Sequence, residues 1–495
     1  MKFERSSGVL LHPTSLPGPY GIGDIGSQAH HWVDFLAQAG CSLWQVLPLG
    51  PTGYGDSPYQ CFSAFAGNPY LISPESLLSE GLLHSNDVVD APKFPFDRVD
   101  YGAVIPWKLG VLNRSFDRFE HLAAQKLRTE FELFREEQSS WLADFSVFIA
   151  LKEAYGGGAW VNWPAPLRAR EPHALDEARQ LYAYGIKRQE YRQFIFFRQW
   201  QALRERAAAR GMRIIGDIPI FVAHDSAEVW ADPELFYLDS QGMPTVVAGV
   251  PPDYFTKTGQ LWGNPLYRWK VHAADGYAWW VKRLQSVLSM VDIVRLDHFR
   301  GFAGYWEVPA SATTAENGRW VPGPGRKFFQ AMEKALGDLP IIAEDLGEIT
   351  PDVIKLRERF NLPGMRIVQF AFHDDPSEPF LPHNYIRNCV VYTGTHDNDT
   401  SRGWFERVSE SEKDFCRRYL GRDGQEIAWE FIRQAWASVA VFAMAPMQDL
   451  LELGNEARMN YPGNPSGNWS WRMPGDALTE PLLKRLQEFN YLYGR

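Results

Sequence analysis

The chain has few cysteines and no long apolar run. Its 495 residues include four cysteines, none of them in the Cys-x-x-Cys spacing that is typical of zinc sites. The longest apolar stretch, near residues 438–447, is too short to cross a bilayer, and the first residues hold no apolar segment of signal-peptide length. We therefore expect a reduced, cytoplasmic protein without a bound metal or a membrane span.

Basic charge is also scarce. The chain has 50 Lys and Arg against 60 Asp and Glu, a formal net charge of −10, and no long basic run, so a nucleic acid is not an expected partner. Hydrophobic residues make up 45%, which is typical of a globular chain and not of a disordered one. Aromatic residues, by contrast, are plentiful, with 19 Trp. They either fill a large core or offer flat faces to sugar rings, and composition alone favours the core.

Short apolar runs alternate along the chain with longer helical stretches, which is the pattern of βα units. Eight runs are almost continuously apolar, as buried parallel strands should be. They cover residues 8–11, 42–49, 212–218, 292–296, 340–343, 365–370, 389–392 and 439–444. The pattern predicts an α/β fold, a (β/α)8 TIM barrel, in which residues 1–495 form a single catalytic domain.

The spacing of the predicted strands is uneven. About 160 residues separate the second strand from the third, far more than one helix needs. Because this stretch has further helical segments, we predict an inserted, mainly helical subdomain at about 60–188. A second excursion, residues 222–264, follows the third strand, and its part from 249 to 264 has no helical or strand period. We expect that part to be an active-site lid loop, and its notable residues are Pro251, Pro252, Tyr254, Phe255 and Trp262.

Charged side chains follow four of the predicted strands, at the end where a (β/α)8 barrel carries its active site. A single such residue could simply cap the next helix. Several that converge with Arg and His are hard to explain as caps, so they predict a catalytic site. The residues are Asp217 on the third strand, Arg295, Asp297 and His298 on the fourth, Glu344 and Asp345 on the fifth, and His396 and Asp397 on the seventh.

Two carboxyl groups are needed to cleave a glycosidic bond, one to protonate the leaving oxygen and one to attack the anomeric carbon or activate water. Neighbouring strands lie about 5 Å apart, and a carboxyl separation of that size corresponds to retention. Asp297 and Glu344 are the natural pair. Arg295 precedes Asp297 by two positions, on the same side of the strand, and favours the ionised form that a nucleophile requires. Glu344 is then the acid, its pKa raised by burial and by neighbouring carboxylates.

Supporting roles are predicted for the remaining polar residues. Asp397 is expected to bind sugar hydroxyls and to favour the oxocarbenium-like state, while His298 and His396 donate hydrogen bonds to hydroxyls. Asp345 alternates to the other side of its strand and is expected to be structural. A cation held by Asp397, Asp399 and His396 is the competing interpretation, but hydroxyl recognition explains the same residues without a metal.

Long strings in the chain resemble those of one known family. VRLDHFRG, IIAEDLGE, TGTHDNDT, SGVLLHPTSLPGPYGIGDIG, YGDSPYQCFSAFAGNPYL, GVPPDYFTKTGQLWGNPLY and NPSGNWSWRM are similar to motifs of the 4-α-glucanotransferases called amylomaltases or disproportionating enzymes, glycoside hydrolase family 77 of the α-amylase clan. The resemblance covers nearly the whole chain except the helical insertion. It implies a double displacement, without metal or other cofactor, that passes a segment of an α-1,4-glucan donor to an acceptor sugar instead of to water.

The resemblance also implies roles for individual residues. Asp297 takes the nucleophile position, Glu344 the acid/base position and Asp397 the transition-state position, in agreement with the assignment from the strand ends. Asp217 matches the third-strand aspartate of the family. Tyr59 resembles the aromatic platform beneath the reacting sugar, and its alternative is a Tyr packed in a turn.

Residues farther from the carboxylates are implied to line the rest of the cleft. Gln260 and Trp262 lie in the segment that covers the cleft in this family, although Trp262 could belong to the core. Asn468 and Trp469 would line the acceptor side, although Trp469 could simply pack. The predicted binding residues are Tyr59, Asp217, Gln260, Trp262, Arg295, His298, His396 and Asn468, with Tyr54 and Tyr101 as contacts of a second glucan site.

Two alternative functions are left open by the sequence. A retaining α-glucan hydrolase would use the same three carboxylates and would differ only in loop geometry. A silent glycan-binding protein would be expected to lack one of them, and all three are present. Cys61 and Tyr461 stand where this family more often has Ser and Thr, but neither position coincides with a proposed carboxylate.

Overall fold

The computed structural model describes residues 3–252, 257–373, 375–464 and 466–495. Its strands form one parallel and one antiparallel sheet. In chain order they are β1 (Ser6–Leu10), β2 (Leu43–Gln45), β3 (Arg213–Ile218), β4 (Val246–Val250), β5 (Gln260–Pro265), β6 (Ile293–Leu296), β7 (Gly304–Pro309), β8 (Arg319–Pro322), β9 (Ile341–Ala343), β10 (Gly364–Ile367), β11 (Cys389–Tyr392) and β12 (Phe442–Pro446). The antiparallel sheet has the order β5-β4-β7-β8, and the other eight strands form the parallel sheet.

The parallel sheet curls into a nearly closed barrel. The strands pair in the order β10-β11-β12-β1-β2-β3-β6-β9, so that β12 pairs with β1 and the two edges of the sheet are β9 and β10. The barrel closes between β9 and β10. There the backbone N–H of Ala343, in β9, donates to the carbonyl of Pro363, which directly precedes β10, at 2.9 Å. All eight predicted strands are present, and the predicted (β/α)8 barrel is confirmed.

Apolar side chains fill the barrel interior, because alternate residues of each strand point inward. The inward residues form one cluster, separate from the larger core between strands and helices. Its members include Leu43, Ile215, Ile293, Ile342, Met365, Tyr392 and Met444, all of them buried. Polar side chains of the site therefore rest on a packed apolar base.

Helices surround the barrel. Within the described ranges none of them combines the length and the apolar character of a membrane span. In chain order the α-helices are α1 (Ser27–Gln38), α2 (Pro74–Ser79), α3 (Tyr101–Leu122), α4 (Gln125–Glu137), α5 (Ser139–Ala154), α6 (Ala165–Arg168), α7 (Pro172–Leu181), α8 (Ala183–Ala209), α9 (Ala227–Ala231), α10 (Trp269–Ala274), α11 (Ala278–Met290), α12 (Gly325–Leu336), α13 (Pro351–Arg359), α14 (Ser401–Arg407), α15 (Glu410–Leu420), α16 (Ile427–Ala437), α17 (Met447–Leu450) and α18 (Glu480–Tyr493).

The long connection between β2 and β3 is helical, as predicted, and contains α2 to α8. The last of these, α8, spans 27 residues and leads directly into β3. It buries Tyr191, Phe194, Trp200 and Leu203 at helical spacing, and the indole of Trp200 donates to the carbonyl of Met290 at 2.9 Å. This helix thus joins the inserted helices to the barrel.

The segment after β3 is more regular than we predicted. The expectation that residues 249–264 lack strand structure is wrong at both ends, because β4 and β5 pair with each other in the antiparallel sheet. A register shift between Val247 and Gly249 interrupts that pairing, and such a bulge breaks the alternation by which a strand is detected. Two residues of the predicted lid, Tyr254 and Phe255, lie outside the described residues.

Candidate active site

The predicted charged residues come together at the carboxyl ends of four barrel strands, of which β3, β6 and β9 are neighbours and β11 is separated from β9 by β10. On β3 and β6, Asp217 and Arg295 are register partners. Leu296 pairs with Ala343 between β6 and β9, so the residues that follow them directly, Asp297 and Glu344, stand on adjacent strands. The barrel register therefore brings both proposed catalytic carboxyls to one place.

Arg295 connects two of the carboxylates. Its Nη1 donates to both oxygens of Asp217, at 2.9 and 2.7 Å, and to Oδ1 of Asp297 at 2.9 Å. Arg295 is 3% exposed and Asp217 is 5% exposed, whereas 27% of the Asp297 side chain is open to solvent. Burial raises the pKa of Asp217 to about 7, against the opposing charge of Arg295. Asp297 is thus the carboxylate of this group that reaches the cleft.

Glu344 has a different environment. Burial raises its pKa to about 8, and the charge of Asp297 adds to this, while Arg295 opposes it. Two backbone N–H groups donate to its oxygens, that of His298 at 2.7 Å and that of Leu346 at 2.9 Å. The first bond depends on His298 adopting a left-handed backbone conformation, with φ 50° and ψ 49°, which is rare for a residue with a side chain. Glu344 is therefore held in place, and its burial favours the protonated form.

Asp397 lies in the turn that follows β11, with 44% of its side chain exposed. Its Oδ2 is 3.3 Å from Nε2 of His396, and its Oδ1 accepts a hydrogen bond from Nδ2 of Asn460 at 2.6 Å. The guanidinium of Arg458 donates to the backbone carbonyl of Asp397 at 2.7 Å. Both carboxylate oxygens are thereby oriented.

Tyr59 links the strand ends. Its ring stacks on the ring of His396, with centroids 5.2 Å apart and 16° between the planes. Its hydroxyl donates to Oδ2 of Asp217 at 2.8 Å and lies 2.9 Å from Nε2 of His396. Because the phenol proton is directed at Asp217, His396 Nε2 is the donor in the second bond. The chain of bonds runs from His396 through Tyr59, Asp217 and Arg295 to Asp297.

Two tryptophans lie beside the two histidines. Trp469 is 5.9 Å from the His396 ring and has a positive φ of 62°. Trp262 meets the ring of His298 edge to face at 4.8 Å, and its indole N–H donates to Oε1 of Gln260 at 3.2 Å. Burial lowers the pKa of His298 to about 3, so the ring is neutral, and among the described residues its buried Nε2 has no hydrogen-bond partner.

Asn468 and Tyr101, two predicted glucan-binding residues farther from the carboxylates, have hydrogen-bond partners within the protein. Both polar atoms of the Asn468 side chain are used inside its own loop, accepting from the Tyr461 N–H at 3.0 Å and donating to the Asn464 carbonyl at 2.8 Å. Tyr101 is 9% exposed and its hydroxyl donates to the Trp469 carbonyl at 2.9 Å, so it supports that loop and presents little surface to a glucan. Tyr54 is 79% exposed, and its role stays a prediction.

The neighbouring aspartates have structural partners. Asp345 pairs with Arg357 and accepts from the Met365 N–H at 2.6 Å, as its position on the other side of the strand predicts. Asp399 pairs with Arg407 and also accepts from the side chain of Asn455 at 2.8 Å. In the described part of the chain no group of three or more His, Cys, Asp or Glu residues is arranged to hold a metal ion.

Sequence reasoning missed two residues that contact Asp397. Asn460 and Arg458 lie in the loop after β12, which shows no strand-end pattern of its own. Only their position shortly after the eighth strand of the barrel could have pointed to them, because an Asn and an Arg in a loop have many ordinary roles.

A (β/α)8 barrel with carboxyl groups on adjacent strand ends, one bonded to Arg and one with a pKa raised by burial, is the arrangement of an enzyme that acts on glycosidic bonds. The sequence profile of the 4-alpha-glucanotransferase family matches residues 11–479. The chain is 54% identical to the 4-alpha-glucanotransferase of Thermus thermophilus over 489 residues, 97% of each chain. It is 45% identical to the chloroplastic/amyloplastic 4-alpha-glucanotransferase of Solanum tuberosum, over 99% of this chain and 86% of the plant chain.

The same family appears among solved structures. The amylomaltase from Streptococcus agalactiae, solved in complex with acarbose, has a TM-score of 0.96 and 41% identity, over 99% of this chain and 100% of the other. The chain belongs to the 4-α-glucanotransferase family. It is an enzyme of this type, which transfers a segment of an α-1,4-glucan, and the hydrolase alternative is not favoured.

Proposed function

We propose that the transfer proceeds by a double displacement in which Asp297 is the nucleophile, Glu344 the acid/base and Asp397 the transition-state carboxylate. The donor is a maltooligosaccharide or a starch- or glycogen-derived dextrin, and the acceptor is glucose or another α-1,4-glucan. The observation that carries this proposal is the contrast between two adjacent carboxyls. Asp297 accepts from Arg295 at 2.9 Å, while burial raises the pKa of Glu344 to about 8.

In the first displacement, Asp297 attacks the anomeric carbon of the donor. The bond from that carbon to the glycosidic oxygen breaks, and the proton of Glu344 passes to the leaving oxygen, so that the reducing-end fragment departs with a hydroxyl. The glucan segment is left as an ester of Asp297. Arg295 stays bonded to Asp217 throughout, which keeps its guanidinium in place beside the nucleophile.

In the second displacement, Glu344 is a carboxylate and takes the proton from the 4-hydroxyl of the acceptor. The acceptor oxygen attacks the same carbon from the face that the leaving group vacated, and the ester to Asp297 breaks. Two inversions give net retention. Glu344 regains its proton, so the enzyme returns to its starting state.

Neighbouring side chains would stabilise the charge that develops on the sugar ring. Asp397 accepts a hydrogen bond at Oδ1, has His396 Nε2 at 3.3 Å from Oδ2 and remains 44% exposed, which suits it to bind two sugar hydroxyls. The stacked rings of Tyr59 and His396 offer a flat surface for the sugar ring. Nε2 of His298, which has no partner among the described residues, offers a hydrogen-bonding group for a sugar hydroxyl.

Water must be kept from the ester for transfer to prevail over hydrolysis. We propose that the excursion at 222–264 covers the bound glucan, because it carries Trp262 to the ring of His298, next to Glu344. The helices near 60–188 are proposed as an inserted subdomain beside the cleft. A cytoplasmic location is proposed as well, and it is supported by four unpaired cysteines, Cys41, Cys61, Cys389 and Cys416.

The roles are tested with a maltotriosyl fluoride donor, because fluoride leaves without protonation. In Glu344→Ala this donor should still form the ester, and the peptide that contains Asp297 should gain the mass of the maltotriosyl group. Asp297→Asn is the control that should gain nothing. A labelled peptide elsewhere in the chain would remove Asp297 from the mechanism. Incubation of the unaltered enzyme with maltotriose should give longer and shorter maltooligosaccharides with glucose, and products that only shorten would indicate hydrolysis.

A further inference from the structure

The loop after the eighth barrel strand is bonded to the end of β11 at three points. Asn460 Nδ2 donates to Oδ1 of Asp397 at 2.6 Å, and Arg458 donates to the backbone carbonyl of Asp397 at 2.7 Å. Asn455 Nδ2 donates to Oδ1 of Asp399 at 2.8 Å. The loop, residues 455–469, therefore holds the proposed transition-state carboxylate from outside the barrel.

The first of these bonds has a particular effect on the carboxylate. The terminal torsion of an Asp side chain has a broad minimum, so that its plane is poorly fixed by the chain itself. Within the described residues, the side chains in contact with the carboxylate of Asp397 are His396 at Oδ2 and Asn460 at Oδ1. One contact on each oxygen fixes the plane. Loss of the Asn460 amide would leave the carboxylate free to turn.

Asn460 is itself firmly placed. It is 9% exposed, and its carbonyl accepts from Nε of Arg458 at 2.7 Å. The guanidinium of Arg458 lies 4.3 Å from the centroid of the Tyr461 ring, and the Tyr461 hydroxyl donates to Oδ1 of Asn455 at 2.7 Å. Tyr461 thus closes this bonded loop.

The same loop continues to the residues that were predicted to line the acceptor side. The backbone N–H of Trp469 donates to the carbonyl of Met459 at 2.8 Å, and Tyr461 is bonded to Asn468. A change in the loop at the acceptor side is therefore transmitted to Asn460 over one or two residues.

We infer that Asn460 is a positioning residue for this reaction, which orients the carboxylate of Asp397 and couples it to the acceptor-side loop. The inference rests on the proposed role of Asp397. An uncharged amide suits this position, because it donates to a carboxylate without neutralising it, so that Asp397 can still bind sugar hydroxyls.

Two substitutions test the inference. Asn460→Ala should lower kcat about tenfold or more and leave the donor KM within about twofold, because the bond acts on the transition state and not on ground-state binding. Asn460→Asp has nearly the same shape but places two carboxylates in contact. Such a pair shares one proton, and when that proton is lost with rising pH the two charges repel. The Asp variant should therefore show a new loss of kcat between about pH 5 and 7 as the pH rises.

The surroundings make this new titration identifiable. Burial lowers the pKa of His396. Because this ring is present in the unaltered enzyme as well, a loss of kcat that appears only in the Asp variant belongs to the new carboxyl pair. The other charged and titratable groups near the pair include Tyr59, Arg295, Asp297, Asp399, Arg407, Arg458 and Tyr461. The matched control is Asn464→Asp, which adds the same charge to the same loop at an exposed position. Its pH profile should follow that of the unaltered enzyme.

The outcomes separate the inference from the proposal on which it rests. Asp397→Asn with normal turnover would remove the role of Asp397 itself. Loss of turnover in Asp397→Asn, together with a kcat within twofold of normal in Asn460→Ala and no new titration in Asn460→Asp, would overturn only the role of Asn460. If Asn460→Ala unfolds, the pH profile of the nearly isosteric Asp variant decides the question alone, with thermal unfolding measured at each pH.

Discussion

The strand ends and the loops above them are held by different kinds of contact. At the strand ends, Arg295 and Asp217 are almost fully buried, and backbone N–H groups bind Glu344 directly. Above them, Trp262 in β5 and Asn468 in the loop after β12 are partly exposed and bond mainly to neighbours in their own segments. We propose that the strand ends carry the bond chemistry and that the segments above them govern which acceptor reaches it. Substitutions should therefore abolish the reaction in the first region and redirect it in the second.

The largest effect is expected at the nucleophile. Asp297→Asn should lower kcat about 10⁴-fold or more, because the covalent route is lost, while the fold is kept. The measurement is the transfer rate with maltotriose, together with the thermal unfolding temperature. Activity close to normal in a folded variant would mean that the strand ends do not carry the chemistry.

A second prediction compares two buried ion pairs at neighbouring strand ends. Arg295→Met leaves Asp217 buried without its cation and should cost about 3–5 kcal/mol in the free energy of unfolding, with loss of turnover. Arg357→Met breaks the pair with Asp345, which lies outside the proposed site, and should cost a similar free energy. Only the Arg357 variant should keep normal turnover per folded molecule. Equal loss of turnover in both would show that Arg295 acts through the fold alone.

The protonation of Glu344 predicts the pH dependence. Its pKa is raised to about 8, so the acid form needed for the first displacement is present below that pH and is lost as the pH rises through it. The rate of ester formation from maltotriose should therefore fall above about pH 8. Maltotriosyl fluoride, which needs no proton, should show no such fall. The same alkaline fall with both donors would assign it to another group.

The strand ends and the segments above them also differ in how well the sequence predicted them. The eight strands, Asp297 and Glu344 were predictable, because apolar runs and the residues that end them are local signals. The hairpin of β4 and β5 was missed, because a bulge and several Gly residues hide the alternation. Asn460 was missed because its partner, Asp397, is 63 positions away in the chain, and only the folded barrel brings them together.

The smallest effect is expected at Trp262, in the proposed cover of the cleft. It is a change in the ratio of hydrolysis to transfer. Trp262 contacts the ring of His298 at 4.8 Å and is half-buried, so it stands between solvent and the neighbour of Glu344. Trp262→Ala should raise the ratio of hydrolysis to transfer a few-fold, because water then reaches the ester on Asp297 more easily. Trp320→Ala is the control, since Trp320 lies in β8 of the same antiparallel sheet, is 39% exposed and packs on Arg300. With maltotriose as the substrate, the rise in reducing ends gives the rate of hydrolysis. The release of free glucose, measured in the same reaction, gives the rate of transfer. If Trp262 only anchors its strand, the variant should instead lose stability while both rates fall in proportion, and an unchanged ratio in a folded variant would sink the idea that this residue keeps water out.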